Sequence, residues 1–229
     1  MILAIDTATT VCSVALSEKG ELISLLETSE KNAHSATLTL LIREVMSSCK
    51  FSFSRLDAIA VSAGPGSYTG LRIGVATAKG LCYALNKPLI ALPTLQAMAL
   101  GIASGEGSLI WSYCPMIDAR RMEVFCAIYD GNGMEILPAA AEIIDENSFS
   151  GMLEKKKIVF GGEGSEKCKS LLKPNVNAVF LENFTTSAKY MLPLAEEKFS
   201  HKEFENLAYF EPFYLKEFVA GKPRVKGLV

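Results

Sequence analysis

Short apolar runs alternate along the chain with longer segments in which apolar residues recur at helical spacing. Residues 2–5, ending at Asp6, read as a strand. Residues 12–17 and 22–26 follow, turned by Glu18-Lys19-Gly20, so the first three strands form a meander. Between 35 and 49 the residues Leu38, Leu41, Ile42, Val45, Met46 and Cys49 fall on one stripe, which predicts a helix. Leu40 and Ala36 lie off that stripe, so this helix is apolar on more than one face. Residues 58–63 predict a buried strand that enters the turn Gly64-Pro65-Gly66-Ser67-Tyr68-Thr69-Gly70 and then a helix over 70–85. A strand at 89–92 and a helix over 94–104 complete a first half, and residues 101–108, rich in glycine and small polar residues, mark a boundary.

The second half echoes the first. Met116-Ile117-Asp118 stands where Ala4-Ile5-Asp6 does, Phe125-Cys126-Ala127-Ile128 where Cys12-Ser13-Val14-Ala15 does, and Gly133-Met134-Glu135-Ile136 where Gly20-Glu21-Leu22-Ile23 does. A strand at 158–161 then meets Gly161-Gly162-Glu163-Gly164 and a helix over 165–172. A short strand at 178–180 and a helix over 187–199 follow. Two copies of a strand, Asp and hairpin predict an α/β protein with a duplicated ribonuclease-H-like, actin-like (ASKHA) fold. It has two lobes of mixed β-sheet flanked by helices, the first over 1–105 and the second, more divergent, over 106–229 with a basic C-terminal tail. Asp6 and Asp118 are expected to face the cleft between them.

The helix over 70–85 carries only two charges, Arg72 and Lys79. Leu71, Val75, Ala78, Cys82 and Leu85 form a core stripe, and Ile73, Gly74, Thr77, Leu81 and Ala84 form a second one beside it. Either this helix is central, or its small-residue face receives a partner. With Arg72 at its edge, the second reading makes Gly70, Ile73, Gly74 and Thr77, together with His34, Leu38, Leu41, Ile42 and Val45 of the preceding helix, a partner interface. In isolation the same patch leaves monomer and isologous homodimer as alternatives.

Composition narrows the classes of function. The 229 residues balance 23 basic against 25 acidic side chains, net −2, which argues against autonomous nucleic-acid binding. Six cysteines without close pairing fit packed, reduced thiols rather than a disulfide framework. The N-terminus lacks the basic region of a signal peptide, and no apolar run is long enough to span a membrane. A cytoplasmic protein is expected.

The chemistry is as notable for what it lacks. Five residues separate Gly64 from Gly70, and Leu71-Arg72 follow, so the turn matches neither a P-loop nor a dinucleotide fingerprint. Neither His34 nor His201 has another His or Cys at ligand spacing on its helix, so no metal site is predicted. No Cys or Ser is accompanied by an identifiable base. Asp6-Thr7-Ala8-Thr9-Thr10 is similar to the first phosphate hairpin of actin-like kinases, but with Ala8 in place of a glycine. Its second copy, Asp118-Ala119-Arg120-Arg121-Met122, has no glycine at all. Both cradles read as degraded, and an actin-like phosphotransferase or ATPase stays open as the alternative.

Ile5-Asp6-Thr7, His34-Ser35, the string from Gly64 to Gly74, Ile117-Asp118-Ala119-Arg120 with Glu123-Val124-Phe125, and Tyr214-Leu215 together resemble the TsaB (YeaZ) family. The resemblance covers nearly the whole chain. It implies a non-catalytic scaffold or activator subunit of the machinery that installs threonylcarbamoyl on the adenosine beside the tRNA anticodon. It also implies pairing with a catalytic paralogue, TsaD, through the two over-apolar helices, recruitment of a small ATPase, TsaE, and contact with tRNA only through the complex. The paralogue uses a His-x-x-x-His pair, whereas His34 is followed four residues on by Leu38. No cofactor is implied beyond a weak or vestigial adenine-nucleotide site at Asp6, Thr7, Gly161, Gly162 and Gly164.

Overall fold

Each sheet begins with an antiparallel meander and is extended by parallel strands. The structure, a computed structural model, describes residues 1–30, 34–106 and 108–216; the basic segment with Lys222, Arg224 and Lys226 lies outside the described residues. Strands β1 (Ile2–Asp6), β2 (Cys12–Glu18) and β3 (Glu21–Thr28) form the first meander, with Asp6 opposite Ser13. β4 (Ala58–Gly64) pairs parallel with β1, and β5 (Leu89–Pro93) parallel with β4. In the second sheet β6 (Ser112–Asp118), β7 (Glu123–Tyr129) and β8 (Glu135–Ile143) repeat the meander, and β9 (Ile158–Gly161) and β10 (Ala178–Leu181) repeat the parallel extension. The strand orders β3-β2-β1-β4-β5 and β8-β7-β6-β9-β10 are the same. The duplicated actin-like α/β fold with mixed sheets is therefore present.

Alternation along the strands sets the layers. Leu3, Ile5, Val14, Leu16, Ile59 and Val61 face α1 (His34–Ser48) and α2 (Tyr68–Leu85). On the other face Ile2, Ala4, Ala15, Ala58 and Ala60 meet the 3-10 turn Ala188–Met191 and α6 (Leu192–Ser200). Small side chains there let α6 lie close to the sheet. In the second lobe Cys114, Met116 and Val124 face α4 (Ser150–Leu153) and α5 (Ser165–Leu172), and Tyr113, Ile117 and Tyr129 face α3 (Thr94–Glu106).

The chain crosses between lobes twice. α3 follows the first sheet yet packs chiefly on β6 and β7, while α6 follows the second sheet and packs on β1 and β5. Residues 101–106, expected at the boundary, continue α3. A loop composition marked the crossing, but apolar Leu95, Met98, Ala99 and Ile102 hold the helix across it.

α2 starts at Tyr68, two residues before the glycine at which a start was expected. Ser67 caps it by accepting the Gly70 N–H at 3.2 Å, and Asn86, at φ 53°, closes it in the left-handed region.

Candidate functional site

Asp6 ends β1 with its side chain 3% exposed. Its carboxylate accepts the Ala8 N–H at 3.0 Å. Burial pushes its carboxyl above the ordinary range, against the lowering influence of the Ala8 and Ser62 hydrogen bonds. Ser62 and Thr94 share a hydrogen bond of 2.8 Å, and Thr94 also accepts the Gly64 N–H at 3.1 Å.

The turn after Asp6 is wrapped by the glycine string. Thr7 Oγ1 donates to the Gly70 carbonyl at 2.8 Å, and the Ser67 N–H donates to the Ala8 carbonyl at 2.7 Å. A Cβ on Gly66 would strike the Ala8 carbonyl, one on Gly70 the Thr7 carbonyl, and one on Gly74 the Thr7 hydroxyl. These glycines thus exist for close approach within the chain. Two of the turn's own donors are committed as well: Ala8 N–H to Asp6, and Val11 N–H to Thr9 Oγ1 at 3.3 Å. An anion cradle needs such donors unpaired and aimed at open space.

Across the cleft, Thr9 and Thr186 share a hydrogen bond of 2.6 Å, and Thr10 Oγ1 donates to Glu163 Oε2 at 3.2 Å. His34 Nε2 lies 2.9 Å from the Thr9 carbonyl and donates to it, tying the start of α1 to the same turn. Burial raises the Glu163 carboxyl, opposed by the Thr10 bond and reinforced by the charge of Asp118. The space left between Thr9, Thr10, Met98, Glu163 and Thr186 is about 10 Å³, room for about one water.

Gly161, Gly162 and Gly164 sit on the far side of that space. Side chains there would meet Ile102, the Met116 carbonyl and Ile117 respectively, so these glycines let the β9–α5 turn lie against β6 and α3. Asp6 and Thr7 belong to the turn on the first-lobe side, and neither they nor the three glycines line that small space.

Asp118 departs from the expected symmetry. Ile117 faces α3, so Asp118 points the other way, toward α5, where it is half-exposed and paired with Lys167. A register offset of one residue moves a strand side chain to the opposite face. Burial raises its carboxyl, but Lys167 and the Arg120 N–H at 2.8 Å more than offset this and hold it below the ordinary range.

The residues expected to meet a partner divide into two sets. Leu38, Leu41, Ile42 and Val45 are buried against the first sheet, and Gly70 and Gly74 are buried against Thr7. The over-apolar character of both helices is therefore core packing in part. Arg72 is exposed, and His34, Ile73 and Thr77 are half-buried. The exposed ridge of α2 runs through Thr69, Arg72, Ala76, Gly80 and Tyr83, with Tyr83 84% exposed, and α1 adds Leu40 at 49%. Sequence reading passed over Ala76, Gly80 and Tyr83, although their three- and four-residue spacing was the available signal. Arg72 donates to the Tyr68 hydroxyl at 2.5 Å, and the Tyr214 ring lies 5.0 Å from that of Tyr68, so Tyr214 braces the start of this ridge.

Among the described residues no three His, Cys, Asp or Glu side chains converge as metal ligands would, and no helix is long and apolar enough to cross a membrane.

The family model described as TsaD, tRNA N6-adenosine threonylcarbamoyltransferase, matches residues 24–224. The tRNA threonylcarbamoyladenosine biosynthesis protein TsaB of Escherichia coli is 33% identical over 96% of both chains. The protein of the same name from Haemophilus influenzae is 29% identical over 96% of this chain and 95% of its own. YeaZ from Pseudomonas aeruginosa, at 26% identity, superposes with a TM-score of 0.80 over 93% of this chain and 99% of that one. With likeness running the length of both partners in each pairing, the chain belongs to the TsaB (YeaZ) family of tRNA threonylcarbamoyladenosine biosynthesis proteins.

Proposed function

We propose that this chain is the non-catalytic scaffold or activator subunit of the complex that places threonylcarbamoyl on the adenosine beside the tRNA anticodon. A TsaD-like paralogue supplies the chemistry and a TsaE-like ATPase joins the pair. The observation that carries this reading is the turn at Asp6. The Ala8 and Val11 N–H groups are taken up inside the turn, and the glycine loop is filled by Thr7 and Ala8, which supports a turn that does not cradle a transferred phosphate. Asp6 is a buried strand-end residue, and the nucleotide site suggested by Gly161, Gly162 and Gly164 is vestigial, since those glycines accommodate β6 and α3.

The partner surface in this reading is the exposed side of α1 and α2: Leu40, Arg72, Ile73, Ala76, Thr77, Gly80 and Tyr83. Small residues at Ala76 and Gly80 let another helix approach, and Tyr83 supplies an aromatic anchor. tRNA is met through the assembled complex.

Reconstitution with a TsaD-like protein, a TsaE-like protein, tRNA and ATP tests the proposal. Modification should require this chain and persist with Asp6→Asn. ATP turnover or threonylcarbamoyl transfer by the purified chain alone, abolished by Asp6→Asn, would establish the phosphotransferase or ATPase alternative instead.

A further inference from the structure

The duplication predicts a helix that the second lobe lacks. In the first lobe β3 is joined to β4 through α1, fifteen residues long, which lies over β2 and β3. In the second lobe the same connection, from β8 to β9, contains only the four residues of α4. The strand beneath is nonetheless patterned for a cover: Val124, Cys126 and Ile128 of β7 occupy the face that Cys12, Val14 and Leu16 of β2 present to α1. What remains is a groove of about 340 Å³, floored by Cys126, Ile128, Leu137 and Ala140 and walled by Ile144 and Phe149.

The chain segment that forms the groove, between Arg121 and Lys155, is acidic. Residues 122–154 include seven acidic side chains and no Lys or Arg. Glu142 lines the groove, and Glu135, Asp145 and Glu146 are exposed beside it. None of these four enters an ion pair among the described residues. Ile143 and Leu137 on the same edge strand are exposed apolar residues.

We infer that the groove over β7 and β8 is a docking site for an amphipathic helix of a partner protein, with an apolar stripe like that of α1 and Lys or Arg on its flanks. The covered face of the first lobe defines the shape of the occupant: apolar side chains at three- and four-residue spacing, as Leu38, Leu41, Ile42 and Val45 are. The acidic rim defines its charge, because a basic flank gains from Glu142 and its neighbours while an acidic one is repelled. This site is on the opposite lobe from α1 and α2 and does not depend on the function proposed above.

The test uses the full chain, isotopically labelled, and a hydrocarbon-stapled peptide with the sequence of residues 34–48 in which Glu44 is replaced by Lys. Saturable binding with amide shifts centred on Cys126, Leu137, Ala140 and Ile144 is expected. Ala140→Trp, which fills the groove, and Leu137→Arg, which charges its mouth while leaving the core intact, should each weaken binding by roughly tenfold or more. Glu142→Lys should reverse the preference for the basic peptide over one with Glu on the same flanks. Absence of saturable binding, or shifts confined to other surfaces, would overturn the inference. So would a groove already filled in the free chain, whether by residues 217–229, seen as contacts from them to Ile144, or by a second copy, seen as shifts that grow with protein concentration.

Discussion

The hydroxyl of Thr7 stands where a side chain on Gly74 would have to go. Thr7 is buried and donates to the Gly70 carbonyl at 2.8 Å, so neither it nor the helix can easily yield. At Gly70 and Gly74 the small-residue face of α2 packs on the chain's own first turn, while Ile73 and Thr77 stay half-buried.

Gly74→Leu should therefore destabilise the fold itself, by about 3 kcal/mol, because it forces bulk into a packed contact. Chemical denaturation would read this directly. A mutant as stable as the wild type would show that the turn at Thr7 can move away from α2.

Gly80 separates pairing from folding. It is exposed, and a methyl group at this position would meet no other atom within 4 Å. Gly80→Ala should raise stability by about 0.5–1 kcal/mol through helix propensity alone. Gly80→Arg should remain folded yet fail to pair with a TsaD-like partner in light scattering, and retained pairing would move the interface off this ridge.

The two aspartates should respond to pH with opposite signs. Asp6 has a carboxyl raised from 3.8 by burial, so the unfolded chain loses its proton first and stability falls as pH rises from about 3.8 through the raised folded value. Asp6→Asn should thus gain stability over the wild type above that window and match it more closely below. Asp118, held low by Lys167, contributes stability in full above about 3.8 and loses it as pH falls from there through the lowered folded value. Urea melts from pH 3 to 8 on the two Asn variants should show the wild-type slopes separately removed; slopes of one sign for both would contradict these environments.

Thr9 and Thr186 form a buried hydroxyl pair across the cleft. Thr186→Val leaves Thr9 without its 2.6 Å partner and should cost about 1–3 kcal/mol. Calorimetry with ADP should show no saturable heat for the wild type, because the space between Thr9, Thr10, Glu163 and Thr186 is only about 10 Å³. Saturable binding would mean that the lobes part in solution.

Much of the architecture was legible in the residue pattern. Strand and helix periods are local: Leu38, Leu41, Ile42 and Val45 show a buried face whatever lies opposite, and the echo of Ile5-Asp6 in Ile117-Asp118 showed the duplication. The string from Gly64 to Gly74 was distinctive enough to indicate the family. Tertiary structure alone decided what each apolar or small face meets. Gly70 and Gly74 look alike whether a partner helix or Thr7 fills the space beside them, and Thr7 comes from 63 residues away. Periodicity likewise could not show that Asp118 turns toward Lys167 while Asp6 is buried under the other face, since one residue of offset reverses a strand's sides and leaves its composition unchanged. The crossing of α3 and α6 between the lobes has the same origin: an apolar helix face encodes that it will be covered, and only the assembled sheets determine by which one.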